Sequence, residues 1–266
     1  MTMVPETTAN AKPRATAEVT WSRNNYGALH VTIGPGANRS KLGRCWTEIR
    51  KILGELEKGD VDEHRAPAWE TGCAFDSKGR GEAVNVDVYG FAVSGKQALA
   101  VVQVRRYAKS RKNWWPSIRK NYFLVGRNET HIVFAHPIPA GTVHSAIQRD
   151  PNPEYVVQAA RAWIFDVPIG KLGTVLRHGD VAAIPVRSLP GGERVCLEDT
   201  PEGLPVLDSH VLHAAEIVRI EQRLYARDPL LCHLKNQHTN ISGRGWHRIQ
   251  VGLRASYWEF AKPTAD

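Results

Sequence analysis

Across residues 83–107 apolar and polar positions alternate in two successive runs. In the first, Val84, Val86 and Val88 share one face while Asn85, Asp87 and Tyr89 share the other, the period of two that marks a half-buried strand. In the second, Val102 and Val104 lie together, opposite Gln103 and Arg105. Gly90 and Ser94-Gly95 fall between the runs as turn residues, so the whole segment predicts a β-hairpin. Folding it sets Asp87 beside Gln103 and Arg105.

A helical period governs the preceding stretch. Leu42, Trp46, Ile49, Ile52, Leu53 and Leu56 recur at steps of three and four, with Lys41, Arg44, Arg50, Lys51 and Lys58 facing away. Ser40 is placed to cap this helix and Gly59 to close it; Glu48 falls at the edge of the stripe. Short strands are predicted over residues 18–22, 29–33, 71–76, 122–126 and 132–135. The Pro- and Gly-bearing residues 137–153 read as a connection and a domain boundary, after which Asn152-Pro153 opens a short helix with Val156, Ala160, Trp163 and Ile164 inward and Val167-Pro168 ending it. Beyond Gly173 the pattern is short strands and turns, at 180–187, 193–197 and 246–253; in the last, His247, Ile249, Val251 and Leu253 share a face. The expected fold is α+β and strand-rich, an N-terminal helix plus a mixed sheet followed by a mostly β C-terminal half. The expected organisation is a disordered leader over 1–17, a first domain over 18–140 and a second over 154–266.

Charge narrows the function. The net formal charge is +8, and Lys96, Arg105, Arg106, Lys109, Arg111, Lys112, Arg119, Lys120 and Arg127 lie in a stretch with no Asp or Glu between Asp87 and Glu129. The positive field is therefore local, and Trp114-Trp115 sits in its middle. Phosphates supply counter-charge to such a field and bases stack on indole rings, so Arg106, Lys109, Arg111, Lys112, Trp114, Trp115, Arg119, Lys120 and Arg127 are candidates for binding nucleic acid, RNA or DNA. The alternative is a solvated basic loop. Cys45, Cys73, Cys196 and Cys232 form no CxxC pair, which argues against a disulfide framework or a zinc knuckle, and no segment approaches the ~20 apolar residues of a membrane span. A cytoplasmic protein with no membrane partner is expected.

Two motifs bear on catalysis. Residues 90–97 nearly spell the phosphate-cradling GxxxxGK[ST], but Gln97 lacks the metal-binding hydroxyl and a strand-like run follows where a helix should begin. The order helix with Glu48, strand with Asp87, strand with Gln103-Val-Arg105 resembles the core of the PD-(D/E)xK nucleases, in particular the Mrr-like branch, over about residues 40–126. The resemblance implies that Asp87 and Gln103 hold Mg²⁺ beside Glu48, with Arg105 where the family has its lysine. Arginine keeps the charge but cannot serve as a base, so the resemblance implies binding more directly than a Mg²⁺-dependent nuclease.

The last quarter of the chain holds His210, His213, His233, His238 and His247, with Cys232 adjacent. A Zn²⁺ site, supporting a hydrolase or a histidine-based ribonuclease, would draw on His210, His213, His233 and His238. The spacing opposes it: on a strand His210 and His213 point to opposite faces, and a five-residue gap aligns His233 and His238 in neither a helix nor a strand. Dispersed core and surface histidines are the expected outcome, with His247 buried and hydrogen-bonded.

Overall fold

The computed structural model describes residues 19–34, 40–58, 74–75, 81–94, 97–109, 117–127, 131, 133–178, 181–198, 200–207, 210–234 and 239–251; of residues 56–58, 74–75, 81–85, 106–109, 117–119, 207 and 251 it describes the backbone alone. The fold is α+β and strand-rich. A small hairpin, β1 (Val19–Arg23) and β2 (Leu29–Ile33), precedes helix α1 (Lys41–Lys58). A five-stranded meander follows: β3 (Ala74–Phe75), β4 (Gly81–Ser94), β5 (Gln97–Lys109), β6 (Ser117–Arg127) and β7 (Val133–Ile138), adjacent in that order.

The two predicted faces of this sheet go to two cores. Val86, Val88, Val102 and Val104 face α1, where Cys45, Ile49 and Ile52 are buried and Trp46 meets the Phe91 ring at 5.2 Å. Ser40 caps the helix as expected, its Oγ accepting from Gly43 N at 3.0 Å. Tyr89, Leu99, Val101, Tyr122 and Leu124 face the other way, onto α2 (Ala140–Arg149) and α3 (Pro153–Phe165).

Helix α2 lies inside the stretch read from sequence as a connection. Pro137, Pro139 and Gly141 gave that stretch its loop-like look, yet Pro139 stands outside the helix at its N-cap, and Val143 and Ala146 turn one buried face inward. Helix α3 begins as predicted, with Asn152 Oδ1 accepting from Glu154 N at 3.0 Å and Pro153 in the first turn. Gly90 is not a turn residue. It lies within β4 at a bulge, pressed so close to α3 that an added Cβ would stand 2.7 Å from Pro153 O.

The C-terminal half pairs two sheets. One runs in the order β10 (Arg194–Leu197), β13 (Glu216–Ile220), β14 (Arg223–Arg227), β17 (Trp246–Val251), β9 (Val181–Pro185), β8 (Leu176–His178). The other runs β11 (Leu204–Leu207), β12 (His210–His213), β15 (Leu230–His233), β16 (Ile241–Ser242). Val181, Ala183, Ile217, Ala226 and Ile249 of the first pack on Leu212 and Leu231 of the second. Helix α3, placed by sequence with the second half, bridges both halves: Ala182 and Ile184 join its core, and Gln250 Nε2 donates to Ile164 O at 3.1 Å. Every described strand pair is antiparallel, so the first sheet is not mixed; its strands follow one another by direct reversals, and a parallel neighbour would need a long crossover. Among the described residues no helix is long and apolar enough to cross a membrane.

Candidate nucleic-acid interface

At one end of the sheet β5 and β6 run on past β7, while β4 stays paired with β5 as far as Gly81 opposite Lys109. Val104 is buried and Arg105 partly so, and β7 pairs with β6 only from Tyr122 onward. From Asn121 back to Ser117 the ribbon extends beyond that partner by about 17 Å at 3.4 Å per residue. Its register sets Arg105 opposite Lys120 and Arg106 opposite Arg119. Like charges directly across an antiparallel pair are destabilising. Lys109 ends β5, and Lys120 is exposed. Arg111, Lys112, Trp114 and Trp115 lie outside the described residues, between the ends of the two strands.

Among the described side chains of the basic stretch, two cations are engaged within the fold. Arg127 sits on the α1 face, where its Nε donates to Glu48 Oε1 at 2.7 Å, its two terminal nitrogens meet the Glu55 carboxylate, and Nη1 also reaches His131 O at 2.9 Å. The hydrogen bonds to Glu55, with those to Glu48, hold the guanidinium above its ordinary pKa. Arg127 therefore braces α1 and is not available to phosphate as the sequence suggested. Arg105 forms an ion pair with Asp87.

At the foot of the ribbon a polar cluster interrupts the apolar face. Asp87 is the register partner of Gln103, as the alternation predicted. Gln103 is 3% exposed, and its Nε2 donates to Tyr122 Oη, which also shares a 2.7 Å hydrogen bond with His144 Nε2 of α2. The Tyr89 ring stands edge-on to Tyr122 at 5.2 Å. Burial raises the pKa of both phenols. Tyr122 and His144 had no sequence signal, because their meeting depends on α2 crossing the sheet.

The four candidates for a nuclease centre do not assemble. Asp87, Gln103 and Arg105 share the face under α2 and α3, whereas Glu48 lies across the sheet on α1 and bonds Arg127. Gln103 is spent on Tyr122 and Asp87 on Arg105. Among the described residues no group of three or more His, Cys, Asp or Glu is arranged to hold a metal ion.

The histidines divide. His210 and His213 do point to opposite faces of β12, and His213 pairs with Leu230 in the register. His210, however, is the cross-strand partner of His233, and the two rings meet at 4.8 Å. His178 of β8, not singled out from sequence, joins them from the other sheet at 5.2 and 6.5 Å. Cys232 alternates with His233 and so falls on the opposite face of β15; His238 lies outside the described residues. His247 is buried as expected, with Nδ1 3.0 Å from Gly245 O.

Comparison with known proteins adds no relative: no family model matches the chain, and no curated protein or solved structure does.

Proposed function

We propose that this protein binds nucleic acid through the basic β5–β6 ribbon and its Trp-bearing connection. The observation that carries the reading is the register that pairs Arg106 with Arg119, beside the exposed Lys120. A sheet end that holds cations opposite one another, on strands that extend past β7, gains stability from an anionic ligand that takes up the charge, and the strands of a β-sheet are a known means of reading a groove. The competing explanation is a charged strand edge that merely prevents edge-to-edge association. Binding is favoured over Mg²⁺-dependent cleavage because Asp87 is neutralised by Arg105 and Glu48 is across the sheet. Free thiols at Cys45, Cys196 and Cys232 support a reducing, cytoplasmic location.

The test is a titration of labelled duplex and single-stranded oligonucleotides across a range of salt. With about six phosphate contacts, log K falls with log salt at a slope near −5 for duplex or −4 for single strands. Replacing Arg106, Arg119 and Lys120 together by Ala should make that slope shallower by roughly 2 to 3, and Trp114→Ala with Trp115→Ala should weaken single-strand binding at constant slope. A slope and affinity unmoved by the triple substitution would leave the charged-edge explanation in place. Incubation with Mg²⁺ should yield no products that depend on Asp87.

A further inference from the structure

Three imidazoles converge at one end of the C-terminal sandwich. His178 lies in register with Val181 and so shares its inward face. His210 lies two residues from Leu212, and His233 two from Leu231, so each shares that neighbour's inward face, from the opposing sheet. The three are 1%, 3% and 5% exposed. Three imidazoles from three strands thus meet in one buried spot, and imidazole clusters are what late divalent metals select.

We propose that His178, His210 and His233 form a binding site for a late divalent transition metal, Zn²⁺ in the first instance, that pins the two C-terminal sheets together. Imidazole suits zinc, with Zn–N bonds of 2.0–2.1 Å. Adding about 1.1 Å from nitrogen to ring centre, three imidazoles around a tetrahedral ion have centroids roughly 5 Å apart. The observed separations are 4.8, 5.2 and 6.5 Å. The rings stand edge to face for His178 with His210 and for His210 with His233, and the nitrogens do not yet meet at one point, in keeping with the lack of a ready donor set among the described residues. Rotation about the Cβ–Cγ bonds is the movement that aims them, and it leaves the strands where they are. The burial of all three residues makes this a structural ion. His213 and Cys232 are excluded because each lies on the opposite face of its strand, β12 or β15.

The experiment uses the full chain, purified without a histidine tag. Elemental analysis should find about one equivalent of zinc per chain. After chelation the melting temperature should fall, and free Zn²⁺ at 100 times its Kd should raise it again by roughly 5–10 °C. Co²⁺ in place of zinc should give the visible absorption of a tetrahedral nitrogen site. His210→Asn and His233→Asn should each abolish that absorption, while His213→Asn keeps it. If a substituted chain fails to fold, the zinc and cobalt measurements on the unaltered protein still decide. Wild-type protein that takes up no stoichiometric metal on reconstitution, and melts at the same temperature with and without Zn²⁺, overturns the proposal. So does metal uptake that survives both His210→Asn and His233→Asn.

Discussion

Replacing Arg127 by Ala separates the structural cations from those proposed to meet a ligand. Its side chain is 21% exposed and grips Glu48 and Glu55, 34% and 35% exposed, which lie two turns apart on α1. Fully exposed ion pairs contribute about 0.2–1 kcal/mol each, whereas hydrogen bonds to charged groups sheltered from water reach about 1.5–3 kcal/mol. The partners here are about one-third open to solvent, so the pair of contacts is discounted toward the lower range, giving about 2 kcal/mol for the whole fork. Removing it also leaves two like charges on one side of α1. For a chain of this size the melting temperature should fall by roughly 4–8 °C. Urea or thermal denaturation followed by circular dichroism measures this, and the loss should shrink as salt rises. Arg127→Lys should restore only part of it, because an ammonium cannot span both carboxylates as the planar fork does. The decisive comparison is with binding: the salt slope of nucleic-acid affinity should be the same for Arg127→Ala as for the unaltered protein. A drop of about one in that slope with little loss of stability would mean that Arg127 leaves its carboxylates for phosphate, and the division of the basic stretch drawn above would be wrong.

Two further tests probe the cores on either side of the sheet. Cys45 is buried and its Sγ donates to Ala92 O at 3.4 Å; burial pushes its thiol up to about 11 from an ordinary 9.0. A group whose folded pKa is raised contributes stability that is complete below its unfolded pKa and is lost as pH climbs through the folded one. Stability should thus fall between about pH 9 and pH 11, by at most roughly 2–3 kcal/mol from this thiol, with Tyr89 and Tyr122 continuing the trend at still higher pH. Urea midpoints measured across that window should show the loss, and Cys45→Ala should remove its lower part; a flat profile in the unaltered protein refutes the assignment. Gly90→Ala places a methyl 2.7 Å from Pro153 O and 2.8 Å from Val156 Cβ. Since one neighbour is backbone, α3 must shift, at a cost of about 1–3 kcal/mol in equilibrium unfolding; a change within experimental error would show that α3 is free to move off β4.

The sequence by itself determined what repeats over a few residues. Alternation placed Asp87 with Gln103 and Arg105, the three-to-four period with Ser40 gave α1, Asn152-Pro153 gave the start of α3, and alternation in the last strand buried His247. These signals are local because a strand or helix fixes side-chain direction from one residue to the next. Partnership across elements is different, since it depends on strand register and on which face of a sheet a helix covers. Glu48 and Asp87 look like companions along the chain, yet α1 packs on one face of the sheet while Asp87 points from the other. Arg127 belongs by composition to the basic stretch and by tertiary structure to two carboxylates on α1, and a short helix was hidden by its flanking prolines. The C-terminal histidines make the same distinction most sharply. No helix or strand period aligns His210 with His233, but the register of β12 against β15 sets them side by side, and only the packing of one sheet on the other brings in His178. Distance along the chain carries no record of that packing, because the apolar contacts that drive it are non-directional and are satisfied only once both sheets exist.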